Sequence, residues 1–235
     1  MKLSVQADFN EAKLKDYMTR AVRIWTDGID TYYASISASE GSDKATGSVG
    51  LRLRGGKTTT VALSHELMVQ AVAMGAAAEG NPVDPDSVRF QYNPSRGFGG
   101  GSSVSAKAQS TSAAPAAATE QQGFPLPVTV RFEEKEVVEI LSSAVAKSTG
   151  KKVNSARISY YESGTLGTAT VQMTATGTGE VKLSADELKE TLAEELNSRG
   201  YVTTAEGISF SHTPGAGFGG PPRTSAVVQL TRMPK

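Results

Sequence analysis

The sequence has no cysteine, two histidines and one tryptophan among its 235 residues. The lack of cysteine excludes disulfide frameworks, thiolate metal sites and cysteine nucleophiles. With His65 and His212 as the only imidazoles, a zinc site or a histidine-based triad has few residues to draw on. We therefore expect no metal site of these kinds.

The sequence also lacks an excess of charge of one sign, because 24 lysines and arginines balance 24 aspartates and glutamates. A neutral chain does not attract polyanions in general, so a nucleic-acid role requires a local basic patch. No apolar run reaches the roughly 20 residues that a membrane-spanning helix needs. The first eight residues turn polar too early for a signal peptide. We expect a cytoplasmic protein, or part of a virus particle, with no membrane partner.

Two segments of the chain resemble each other. Residues Val88 to Gly100 share Phe and then Pro-x-x-Gly-Phe-Gly-Gly with residues Ile208 to Gly220, at a spacing of 120. Earlier matches keep nearly the same spacing, beginning with 123 residues at the first strand. Because chance similarity does not preserve both order and spacing, the pattern predicts an internal duplication.

The duplication divides the chain into a first α+β repeat over 1–108, an Ala/Ser/Pro-rich linker over 109–127 and a second α+β repeat over 128–235. The linker lacks the apolar periodicity that a buried element needs. In each repeat, segments of helical spacing alternate with short strand-like segments, which predicts the order β-α-β-β-α-β-β. Strands joined at hairpin length favour a mainly antiparallel sheet with helices on one face.

The second helix of each repeat differs in character. In the second repeat, Ser184 and Glu187 form a capping-box pattern at its start. In the first repeat, the helix is apolar nearly all round, with Val69 and Met74 where its counterpart has charged residues. A helix that is apolar on every side must be covered on every side. We expect this face to pack against the other repeat or another subunit.

The Gly-Phe-Gly-Gly loops are the most distinctive segments, and three interpretations stay open. Phe98 and Phe218 could each fold back to anchor the loop on its own core. Each loop could instead be an arm whose phenylalanine enters a pocket on a partner or a neighbouring subunit. In a third interpretation, the phenylalanines stack on bases while Arg96 and Arg223 hold phosphates, as in single-stranded nucleic-acid binding.

A strand of the first repeat carries the nearest approach to a basic patch. Alternation along the strand places Arg52 and Arg54 on the face opposite the core, and Lys57 follows. Arg20 and Arg23 of the first helix add to this set. An ordinary solvated strand face with acidic neighbours is the favoured explanation of these residues.

Motifs for catalysis are incomplete. Residues Gly215 to Gly220 fit the dinucleotide pattern formally, but two prolines follow, so no helix N-terminus is available for a pyrophosphate. Nothing combines a nucleophile, a base and an oxyanion donor. An enzyme of unfamiliar type would need carboxylates and histidines to meet across the repeats. We therefore expect no enzymatic activity and no cofactor.

The sequence favours a non-enzymatic structural or assembly component that binds a protein partner or itself. Its small-residue bias suits a virus or phage particle subunit or another self-assembling layer. The candidate partner-binding residues are Phe98, Phe218, Arg96, Arg223, Val69 and Met74. The alternative is a single-stranded nucleic-acid-binding protein that uses Arg52, Arg54, Lys57 and the two loops.

Overall fold

The chain folds into two compact units, the first made of Met1–Leu53 with Thr58–Leu126 and the second of Arg54–Lys57 with Pro127–Lys235. The computed structural model describes residues 6–53, 56–95, 101–111, 126, 128–160, 166–174, 179–213 and 223–230. Helices and antiparallel sheets are present in both units, which confirms the α+β class. Among the described residues, no helix is long and apolar enough to cross a membrane.

In the described part of the first unit, six strands and two helices follow the order β-α-β-β-β-α-β-β. They are β1 (Gln6–Phe9), α1 (Glu11–Trp25), β2 (Asp30–Ala38), β3 (Ala45–Arg52), β4 (Thr58–Leu63), α2 (His65–Ala78), β5 (Arg89–Asn93) and β6 (Ser103–Gln109). The strands form two antiparallel sheets, β1-β6-β5 and β2-β3-β4.

The described part of the second unit has the same order of elements. They are β7 (Val128–Glu133), α3 (Glu134–Thr149), β8 (Lys152–Tyr160), β9 (Leu166–Thr174), β10 (Gly179–Leu183), α4 (Ala185–Ser198), β11 (Ile208–Thr213) and β12 (Arg223–Leu230). Its sheets are β7-β12-β11 and β8-β9-β10. The two units therefore share element order and strand pairing, while their origin by duplication stays a prediction.

The predicted element order lacked one strand in each unit, namely β4 in the first and β10 in the second. The run from Thr58 to Val61 is β-branched throughout, which suits a pleated sheet surface. Gly56, with φ +82°, lies in the turn that precedes it. Pairing in the first unit also continues past the predicted limit at residue 108, since Val83 bridges Ser110.

Both helices of the first unit pack on one face of the β2-β3-β4 sheet. On that face, β3 carries the buried side chains of Val49 and Leu51. A Cβ atom added at Gly47 would lie 2.4 Å from Met18 Cε of α1 and 2.8 Å from Met68 Sδ of α2. Both helices therefore pack closely on the sheet at Gly47 through their methionine side chains.

The α1–α2 contact depends on a glycine as well. A Cβ atom at Gly75 of α2 would lie 2.2 Å from Cδ1 of Tyr17, a fully buried α1 residue. The Tyr17 hydroxyl donates a hydrogen bond to Glu79, at 2.8 Å. The burial of Tyr17, followed by its hydrogen bond to Glu79, raises the pKa of the phenol. The Tyr17 ring thus occupies the space beside Gly75 of α2 that a side chain at this position would fill.

The second unit has a buried carboxylate at the corresponding helix position. Glu195 of α4 is 5% exposed and accepts hydrogen bonds from Lys147 Nζ at 2.7 Å and from Arg199 Nε at 3.0 Å. Ser143 donates a further bond at 3.1 Å. Burial acts to raise the pKa of Glu195, but these three donors outweigh it and hold the pKa below its usual value.

The capping box predicted at the start of α4 is confirmed.

Candidate interaction surface

Large apolar side chains are exposed between the end of α1 and the start of β2. Ile24 is 63% exposed, Tyr32 47% and Tyr33 39%. In the part of the chain that the structure describes, these are the exposed large hydrophobic side chains. Single exposed apolar residues are common on any protein, whereas two exposed rings in mutual contact, as Tyr32 and Tyr33 are, are typical of an interaction surface.

A β-bulge places two consecutive tyrosines on one face of the sheet. Thr31 pairs with Leu51, and Tyr33 pairs with Gly50, so Tyr32 is an extra residue between them. In a regular strand, neighbouring side chains point to opposite faces, whereas a bulge breaks that alternation. A Cβ atom at Gly50 would lie 2.2 Å from the Tyr33 ring and 2.7 Å from the Tyr32 ring. Both rings therefore lie over Gly50 on the face away from the helices, as a tyrosine pair.

The tyrosine pair is held in place by its own contacts. The two rings meet edge to face, with centroids 4.9 Å apart. The Tyr33 hydroxyl lies 3.0 Å from Thr60 Oγ1 on β4, within hydrogen-bond distance. Tyr33 thus crosses β3 and reaches β4, and Gly50 provides the space beneath it. A partly exposed aromatic surface whose rings are already fixed loses little side-chain entropy when a partner binds.

An open groove of about 420 Å³ lies between α1 and β2. We call it the α1–β2 groove, and its lining residues are Lys15, Asp16, Thr19, Arg20, Arg23, Thr31, Tyr32, Tyr33 and Ala34. Arg20 is bonded to Asp16 through two N···O contacts, of 2.7 and 3.2 Å. Arg23 lies 3.4 Å from Asp30. Cations from the helix and tyrosines from the strand therefore share one concave surface.

At the edge of this groove, Lys15 forms an ion pair with Glu11 one turn earlier on α1. The hydrogen bond from Lys15, followed by one from the Val104 backbone N–H at 3.0 Å, holds the pKa of Glu11 below its usual value. The Glu11 carboxylate is thus fixed between the helix and β6. Lys15 remains partly exposed at the groove.

The second unit has the same bulge without the aromatic side chains. Val153 pairs with Met173 and Ser155 with Gln172, so Asn154 is the extra residue of β8. Asn154 and Ser155 thus occupy the positions of Tyr32 and Tyr33. The backbone geometry is common to both units, while the bulge carries tyrosines in the first unit and Asn154 and Ser155 in the second.

Comparison with known proteins gives no family for this chain. No protein-family model matches it, and no curated protein matches it significantly. Among solved structures, the di-domain ARO/CYC StfQ from the steffimycin biosynthetic pathway aligns over 99% of this chain and 85% of its own. Its sequence identity is 8% and its TM-score 0.17, so the likeness supports no statement about fold or activity. The functional argument therefore depends on the surface itself.

The predicted basic patch is only partly visible. Arg52 is exposed on β3, opposite Asp30 of β2. Lys57, which belongs to the second unit, donates to Glu136 and to the Arg131 carbonyl, each at 2.8 Å. Lys57 is half-buried, and its charge is matched by that carboxylate. It is therefore poorly placed to bind a phosphate.

The loop residues Arg96, Phe98 and Phe218 lie outside the described residues, as does Arg54. Arg223 begins β12, but its side chain is also outside the described part. The three interpretations of the loops stay predictions. Two further candidates, Val69 and Met74 of α2, are described and are half-buried.

The histidines and carboxylates do not assemble in the described part of the chain. His65 Nδ1 accepts a long hydrogen bond of 3.4 Å from the Ala45 backbone N–H, and its ring meets Phe90 edge to face. No group of three or more metal-ligating side chains occurs among the described residues.

Sequence reasoning missed the tyrosine pair, although two adjacent large aromatics in one strand were a usable signal.

Proposed function

We propose that this chain is a non-enzymatic structural or assembly component that acts by binding other protein chains. The observation that carries the proposal is the tyrosine pair, two exposed rings fixed over Gly50 by a bulge, an edge-to-face contact and a hydrogen-bond contact to Thr60. Tyrosine and arginine are enriched at the energetic centres of protein interfaces. The second unit keeps the bulge and replaces both tyrosines, so the backbone alone does not require them.

Binding to single-stranded nucleic acid is the competing function, and it has less support. Stacking of successive bases uses accessible ring faces, whereas the two rings meet edge to face and both lie over Gly50. The nearby cations are paired, since Arg20 contacts Asp16 and Arg23 contacts Asp30. A phosphate would have to displace these carboxylates.

A virus or phage particle is one setting that fits this proposal, and the cytoplasm is the other. The support for a particle subunit is compositional, namely a neutral, cysteine-free chain with 24 glycines. Either setting leaves the tyrosine pair as the candidate contact surface.

Light scattering of the full chain tests the proposed function. The mass in solution is measured over a range of protein concentrations at low and high salt, with and without a mixed-sequence single-stranded oligonucleotide. We expect association that survives high salt and is reduced in the double variant Tyr32→Ser/Tyr33→Ser. The matched control is Asn154→Ala/Ser155→Ala, at the equivalent bulge of the second unit, which should leave the mass unchanged.

A chain that stays monomeric and binds the oligonucleotide only at low salt would overturn the proposal in favour of the alternative, because phosphate contacts release counterions. A chain that stays monomeric and ignores the oligonucleotide would exclude self-assembly.

A further inference from the structure

We draw no further inference here: the strongest candidate, the α1–β2 groove with the tyrosine pair at the edge of β2, has its lining cations already paired with carboxylates, and nothing in the described part of the chain shows what covers it.

Discussion

The packing of Tyr17 against Gly75 gives the sharpest stability prediction for the first unit. In the variant Gly75→Ala, the new methyl group would lie 2.2 Å from Tyr17 Cδ1 and 2.3 Å from Cγ. The ring cannot swing away cheaply, because Tyr17 is fully buried and meets Phe9 edge to face. The clash therefore has to be absorbed by the helices.

The expected size follows from two opposing effects. Alanine improves helix propensity over glycine by about 1 kcal/mol. Overpacking of a filled core costs about 1–3 kcal/mol, and the closeness of this contact places Gly75→Ala near the upper value. We expect a net loss of about 2 kcal/mol in the free energy of unfolding. In a Tyr17→Ala background the Cγ and ring atoms that meet the new methyl group are gone, so the same change should stabilise by about 1 kcal/mol.

Urea unfolding followed by tryptophan fluorescence measures this difference. Trp25 is the sole tryptophan and lies buried at the end of α1, so its emission reports on the first unit. The four proteins of the cycle are the wild type, Tyr17→Ala, Gly75→Ala and the double variant. A neutral effect of Gly75→Ala in the wild-type background would refute this packing, and so would an effect that did not change sign in the Tyr17→Ala background.

Other predictions concern single side chains of either unit. The pKa of Glu195 is lower in the folded state than its ordinary value of 4.5. Its ionised form therefore stabilises the fold at pH values above 4.5, and this contribution is lost as the pH falls through the folded-state pKa. In Glu195→Gln, urea unfolding followed by circular dichroism should show less stability than wild type at pH 7, and the difference should shrink in acid; a constant difference would contradict this. Ser184→Ala should cost about 1 kcal/mol by removing the N-cap of α4, and Glu187→Gln, which keeps a capping-box residue type, should cost less in the same assay. Gly50→Ala should displace the tyrosine pair and reduce light-scattering association, whereas unchanged association would separate Gly50 from the contact surface.

The helices were the most predictable part of the fold. Leu14, Tyr17 and Met18 recur at helical spacing and are all fully buried in α1. The capping box at Ser184 depends only on local chemistry, so it could also be read from the sequence. Such signals survive because helix periodicity and caps are set by residues close in sequence.

The strands and the surface were less predictable, because they depend on pairing. Period-two alternation places Tyr32 and Tyr33 on opposite faces, and only the pairing of Thr31 with Leu51 and Tyr33 with Gly50 shows the bulge. Lys57 was grouped with a basic patch, yet its partner Glu136 is distant in sequence. The edge position of β2 is likewise a property of the sheet order. Sequence reasoning therefore found the helices and most of the strands, and it missed β4, β10 and the surface at the β2 bulge.

The bulge shared by β2 and β8 makes the second unit a natural acceptor for a graft. The substitutions Asn154→Tyr and Ser155→Tyr, with Gln172→Gly opposite them, would transfer the tyrosine pair to a strand that already has the same pairing. A chain with two such surfaces could engage a tandem ligand at both, and bivalent attachment raises avidity without any new type of contact. The shared bulge thus offers two equivalent backbone positions for one kind of surface.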